Sequence, residues 1–275
     1  MTFLDQQQPR RLVDMHVHTR HSDGQPTVSE VEDFCLSKAI GAVITDHNEI
    51  RGSMDLCERG KVSTMAGIEV GTQEGFEFLT YFPDPGALEE FYVRSVEPHL
   101  LNRFMVRSRV RSLPALETAR SLGAWISLAH PFAFGRKSLT FQSRKRGEDF
   151  CEQVMEYVDA VEVFNGGIPA GANRKAQPLR ETAKQLTSGS DSHVLSTYGT
   201  SGVWFPVEAT QPHELHEHLR EAEDLSLETG THCSVTRTVF MIVVNHSRFF
   251  LRGRKRLRLP REAGDARDRR FATDS

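Results

Sequence analysis

Short apolar runs rich in β-branched and aromatic residues recur along the chain. They fall at residues 12–17, 42–45, 64–68, 76–82, 124–129 and 160–164, with a weaker run ending before Gly189. Runs of this length between turn-forming residues predict strands. Helical spacing fills the intervals. In TVSEVEDFCLSKAIG, Thr27 is a candidate N-cap with Glu30 three residues later, and Gly41 is a candidate stop. SLPALETARSLG leads into the run at Trp125, and NRKAQPLRETAKQL precedes the run before Gly189. Repeated strand–helix alternation predicts an α/β fold with a mainly parallel sheet. Six or seven such units favour a (β/α) barrel over an open sheet.

The polar residues at the ends of these runs change the picture. His16 and His18 end the first run, Asp46 and His47 follow the second, and Glu69 follows the third. His130 follows the fifth in LAHP, Glu162 lies in VEVFNGG, and Asp191 and His193 follow the last in GSDSH. In a parallel barrel the C-terminal strand ends share one face, so these side chains converge. Their nitrogen and oxygen donors suit Zn, Mn or Fe better than a thiolate site would. Alternate residues of a strand face one side, so His16 and His18 can hold the same ion. Asp14 and Asp46 are candidates for orienting the histidine rings. A lone HxH is a weak signal, but HxH, TDH, a strand-end Glu, AHP and SDSH in this order form a specific one. Asp23 in HSDG reads either as a catalytic carboxylate or as a turn residue before Gly24, and Asn165 in FNGG either as a substrate contact or as a turn.

Composition narrows the class. A formal net charge of −3 gives no overall attraction to nucleic acid. Cys35, Cys57, Cys151 and Cys233 form no CxxC pair, and MTFLDQQQPRR lacks an apolar signal core, so the expectation is a cytoplasmic protein without a disulfide framework. No run approaches the roughly 18 apolar residues of a membrane span.

With DMHVHTRHSDG, ITDHNEI, AGIEV, SLAHPF, VEVFNG and GSDSHV in order, residues 11–205 resemble the PHP (polymerase and histidinol phosphatase) superfamily of metal-dependent phosphoesterases. The resemblance implies a distorted (β/α)7 barrel with two or three divalent ions at the C-terminal ends of the strands. It implies that His16, His18, Glu69 and Asp191 hold one ion, that Glu69 bridges to a second bound by His130, and that His21, His47 and His193 hold a third. Family members often carry a histidine where this chain has Glu77, in EFLTYF. Glu77 is therefore either a substitute ligand or an outward-facing strand residue.

Basic residues supply candidate phosphate contacts: Arg103, Arg107, Arg109 and Arg111 in one cluster, and Arg136 with Lys137 in another. Arg136, just beyond His130, is the favoured one, for substrate binding and catalysis. From Arg248 onward the chain holds ten Arg or Lys against four acids. That tail is suited to an anionic membrane surface or to RNA, and equally to plain solvation. The expected organisation is an N-terminal extension at 1–10, a metallophosphoesterase domain at 11–245 and a basic tail at 246–275. The expected reaction is hydrolysis of a phosphate ester, on a small phosphorylated substrate or a nucleotide. The rival readings are a C–N hydrolase resembling amidohydrolases and a non-catalytic accessory module.

Overall fold

The computed structural model describes residues 9–101, 104–133, 138–181 and 183–231, with residues 240, 243, 244, 247 and 251. The strands run in chain order β1 Arg10–Val17, β2 Gly41–Ile44, β3 Ala66–Gly71, β4 Glu77–Phe82, β5 Leu100–Leu101, β6 Phe104–Ser108, β7 Trp125–Leu128, β8 Ala160–Asn165, β9 Gln185–Gly189, β10 Gly202–Pro206 and β11 Leu227–Glu228. The helices are α1 Val28–Lys38, α2 Arg51–Arg59, α3 Pro85–Phe91, α4 Ser112–Ser121, α5 Leu139–Arg146, α6 Glu148–Tyr157, α7 Ala170–Ala176 and α8 Pro212–Glu221. No helix among the described residues is long and apolar enough to cross a membrane.

The seven expected strands are present and the fold is mixed α/β, but the hydrogen bonding divides into sheets of order β11-β10-β1-β2 and β3-β4-β7-β8-β9, with a small β5-β6 hairpin. The two larger sheets meet at both seams. Isolated parallel bridges join Val17 to Ser192 and His47 to Glu69. The amides of His18 and Asn48 donate across these seams to the Ser192 and Glu69 carbonyls, at 2.9 and 2.8 Å.

Pairing is less parallel than the apolar runs suggested. β4 is antiparallel to both β3 and β7, and β10 is antiparallel to β1. The reversal of β4 has a local cause: residues 72–76 between β3 and β4 are too few for a crossover, so the two strands form a hairpin. It places Glu77 opposite Gly71, at the end of the sheet where Glu69 lies.

Burial follows strand alternation. Phe78 and Phe82 of β4 pack with Ile68, Ile126, Leu88, Phe91, Leu116 and Val154, joining the five-stranded sheet to its helices. Leu79 and Tyr81, on the alternate face, join Val13, Met15, Val43 and Phe205 of the other sheet, with Leu215 of α8. Full burial of each such side chain contributes about 1.5–3 kcal/mol. Tyr81 also donates its hydroxyl to the carbonyl of Met15 at 2.8 Å, tying the sheets together behind the site. Helix α1 starts with the expected capping box: Glu30 N donates to the Thr27 hydroxyl at 3.2 Å and Thr27 N donates to the Glu30 carboxylate at 2.8 Å.

Candidate metal centre

Glu69 is the hub. It is fully buried on β3, with four imidazoles around its carboxylate. Oε2 lies 3.3 Å from His16 Nε2, 3.4 Å from His18 Nε2 and 2.8 Å from His47 Nδ1, and Oε1 lies 3.0 Å from His130 Nε2. Asp191 closes one side, its Oδ1 3.2 Å from His18 Nε2 and 3.7 Å from His16 Nε2. Glu77 closes the other, 3.6 Å from His47 Nδ1 and 3.4 Å from His130 Nε2. A third group gathers around Asp23, which lies 3.1 Å from His193 Nε2, 3.8 Å from His47 Nε2 and 3.9 Å from His18 Nδ1.

Three sets of donors thus converge within 4.8 Å: His16, His18 and Asp191; His47, Glu69 and Glu77; and His18, Asp23, His47 and His193. Metal–ligand bonds of about 2.0–2.2 Å set neighbouring ligand atoms around one ion roughly 3.0–3.5 Å apart. Most separations around Glu69 fall in that range. His16 Nε2, both ring nitrogens of His18, His47 Nδ1 and Glu69 Oε2 are buried without a hydrogen bond of good geometry. Five such atoms at one place would carry a large desolvation penalty in a merely structural cluster. Divalent cations beside Glu69 would satisfy the lone pairs that face it, so the donor set fits metal ions.

Backbone strain marks the same residues. His130 and Asp191 adopt positive φ angles of 25° and 49°, rare for residues other than glycine and typical of functional sites. Gly24 makes the HSDG turn possible, because a Cβ there would lie 2.1 Å from the carbonyl oxygen of His18. The turn carries Asp23 back over the first strand's end, so the turn and site readings of Asp23 are compatible.

The electrostatics follow from carboxylates and imidazoles packed together. Burial pulls the His130 imidazole down, but the Glu69 hydrogen bond and charge, with Glu77 and Asp191, push it up to about 9. His193 is likewise pulled down by burial and raised by Asp23 and Asp191, to about 9. Burial pushes the Asp23 carboxyl up, but His193, His47 and His18 hold it well below the ordinary carboxylate range. His18 moves the other way: burial and its cationic neighbours His193 and His47 lower it.

Of the residues singled out in the sequence, His16, His18, His47, Glu69, Glu77, His130, Asp191, His193 and Asp23 meet in one place. His21 is half-buried and lies outside the three donor groups. The Asp23 carboxylate reaches back from the turn toward His193 and His47. Asp14 and Asp46 do not orient imidazoles. Asp14 accepts from the backbone amides of His16, Ser190 and Gly199, and Asp46 from Thr19 and the Ser22 hydroxyl. Both instead fix the loops that carry the donors. Burial raises the Asp14 carboxyl to about 6. The carboxylate that does meet an imidazole from behind is Glu162, 3.0 Å from His16 Nδ1. Strand alternation was the available signal: Glu162 is separated by one residue from Ala160, whose side of β8 faces the other sheet. Asn165 is fully buried, with its amide donating to Glu162 and accepting from Gly167. Arg109 and Arg111 are exposed, whereas Arg103, Arg136, Lys137, the side chain of Arg107 and most of the basic tail lie outside the described residues.

No family model matches the chain. An uncharacterized protein of Methanocaldococcus jannaschii is 27% identical over 197 residues, 70% of either chain. Among solved structures, the lesion-specific endonuclease PfuEndoQ of Pyrococcus furiosus superposes with a TM-score of 0.61 at 16% identity, over 80% of this chain and 58% of that one. A two-domain protein of Bacteroides vulgatus, containing a predicted PHP-like metal-dependent phosphoesterase, superposes with a TM-score of 0.50 at 15% identity, over 81% of this chain and 66% of that one. Superposition at this depth, together with the motifs and the convergence of their side chains, gives the chain the fold of the PHP-like metal-dependent phosphoesterases.

Proposed function

We propose that the protein is a metal-dependent hydrolase of phosphate esters, with residues 11–245 as its catalytic domain and the two bridged sheets as a distorted (β/α)7 barrel. The observation that carries this reading is the ring of four imidazoles and two further carboxylates around buried Glu69. Such a set holds cations but leaves no nucleophilic Ser or Cys in the ring.

The rings also suggest how many ions the site takes. His18 presents Nε2 to Glu69 and Asp191 but Nδ1 to Asp23, and His47 presents Nδ1 to Glu69 but Nε2 to Asp23. A neutral imidazole has one lone pair and one N–H. Serving Glu69's two flanks therefore turns the N–H groups of both rings toward Asp23. This favours two ions sharing Glu69, one with His16, His18 and Asp191, the other with His47, Glu77 and His130. Bound divalent ions would polarise a phosphate ester and lower the pKa of water. Asp23 then faces both ring protons at 3.8–3.9 Å and holds His193, whose Nε2 lies 3.1 Å away, as a pair able to keep or deliver a proton. The His193 Nδ1, 3.0 Å from the carbonyl of Asp191, fixes the ring's orientation. Arg136 remains the proposed phosphate contact from sequence, whereas the engaged amide of Asn165 supports positioning over substrate contact.

The proposed substrate is a small phosphorylated compound or a nucleotide, whose anionic oxygens suit bound divalent cations. The test is a panel of phosphomonoesters, nucleotide 3′-phosphates, short oligonucleotides and cyclic amides, assayed on chelator-stripped protein resupplied with Mn²⁺ or Zn²⁺ separately. Phosphate release that depends on added metal is the expected result. Full turnover by stripped protein, amide cleavage alone, or tightly bound metal with no turnover of any substrate would each overturn the reading.

A further inference from the structure

We propose that Glu162, clamped by Asn165, is the positioning residue that sets the tautomer of His16 and so turns its Nε2 lone pair toward Glu69 and Asp191; this rests on the metal reading above. Glu162 lies on β8 and is 1% exposed. Both of its oxygens are used. Oε1 sits 3.0 Å from His16 Nδ1. Oε2 accepts from the backbone amide of His130 at 2.8 Å and from Asn165 Nδ2 at 2.9 Å.

The orientation of Asn165 is determined in turn. Its Oδ1 accepts from Gly167 N at 2.8 Å, which leaves Nδ2 for Glu162. Its backbone is held at both ends by Asn173 of α7: the amide donates to Asn173 Oδ1 at 2.9 Å, and the carbonyl accepts from Asn173 Nδ2 at 2.7 Å. A hydrogen-bonded chain therefore runs from α7 through Asn173, Asn165 and Glu162 to His16. The far side of that imidazole is Nε2, buried without a hydrogen bond, 3.3 Å from Glu69 and 3.7 Å from Asp191. When His16 donates from Nδ1, the lone pair must face those two carboxylates, an arrangement that a cation reconciles. Glu162 also holds the backbone of His130 and thereby aligns candidate ligands from two separate strand ends.

Only a carboxylate can accept on both sides of this position. In Glu162→Gln, one end of the amide is a donor. The two N–H groups at Oε2 require the amide oxygen, which turns the NH₂ group toward His16 Nδ1. The ring proton then moves to Nε2, into the space where the cation belongs. The shape is conserved, so the fold should survive while metal affinity falls. Loss of such a partner typically weakens affinity about 10–100-fold. In the double variant Glu162→Gln with Asn165→Asp, the new carboxylate can accept from the amide NH₂ and release the amide oxygen to His16, at the cost of the acceptor that the His130 amide had at that oxygen. Part of the affinity should return, an effect that a purely structural role for Glu162 does not produce.

The experiment measures zinc affinity by competition with a chromogenic chelator, zinc content by elemental analysis, and melting in excess chelator. It uses the full chain, wild type, the two variants above and Asn165→Ala. The expected result is a loss of about 10–100-fold for Glu162→Gln, a smaller loss for Asn165→Ala and partial recovery in the double variant. Asn165→Ala keeps the question answerable should Glu162→Gln fail to fold. Wild-type affinity in the single variants, or a lowered melting temperature with unchanged affinity, would overturn the positioning role and leave the metal reading intact. A wild-type protein that holds no divalent ion would overturn both.

Discussion

Glu69→Gln perturbs the site at its centre and has two separable consequences. The first concerns metal: an amide cannot bridge two cations, so bound metal should fall from about two ions per chain to one or none. The second appears with metal stripped away. In wild type the His130 imidazole rises from 6.5 to about 9, burial opposing and Glu69 leading the groups that raise it. At about 1.4 kcal/mol per pH unit, this protonation stabilises the folded chain by about 3 kcal/mol when fully expressed. Because the folded value lies above the ordinary one, the contribution is complete below pH 6.5, declines as the pH rises, and is gone above pH 9. His193 contributes in the same direction over the same window. Chelated wild type should therefore lose stability between pH 6.5 and 9. Glu69→Gln should be less stable by about 1–3 kcal/mol at pH 7, with a shallower decline, since Glu77 and Asp191 still act on His130. Urea denaturation in excess chelator at several pH values measures both. A chelated wild type that grows more stable from pH 6.5 to 9, or a variant that keeps two ions at wild-type affinity, would refute the reasoning.

Two further outcomes are expected. Asp191→Ala removes a donor shared by His16 and His18, so elemental analysis should show one ion lost per chain. Gly24→Ala drives a methyl group into the carbonyl of His18, so the turn must open; about 2–3 kcal/mol of stability should be lost by denaturation, and metal content should fall with it.

Much of this was legible in the sequence because strand ends and apolar runs are local signals. The seven central strands, the Thr27–Glu30 capping box and the gathering of His16, His18, His47, Glu69, His130, Asp191 and His193 all follow from spacing. What was not legible depends on direction and on partners. Residue alternation does not tell a strand's direction, so the reversal of β4, which brings Glu77 to the site, had to come from the length of the turn before it. β10 was missed because GVWFP is short and pairs antiparallel on an edge of β1, without a helix to announce it. Helix α1 ends at Ala39, which takes the left-handed conformation, and Gly41 instead opens β2. Asp14 and Asp46 were assigned to imidazoles by proximity in sequence, whereas a loop's backbone amides were the nearer claim on them. Strand alternation pointed Glu162 toward the other sheet, but its partner His16 is 146 residues away in sequence, which no local pattern encodes.

The two seams between the sheets bear on how the molecule closes. Among the described residues each carries an isolated bridge rather than a continuous ladder, Val17 with Ser192 and His47 with Glu69. The donor groups straddle the same two gaps: His16 and Asp191 stand on either side of the first, His47 and Glu69 on either side of the second. Ions there would act as clasps on a hinged ring, holding shut a structure that hydrogen bonding alone joins loosely. Stripping them should leave the helices and the centres of both sheets slow to exchange with solvent. The amides of His18 and Asn48 would then exchange first, as the molecule opens along its own joints.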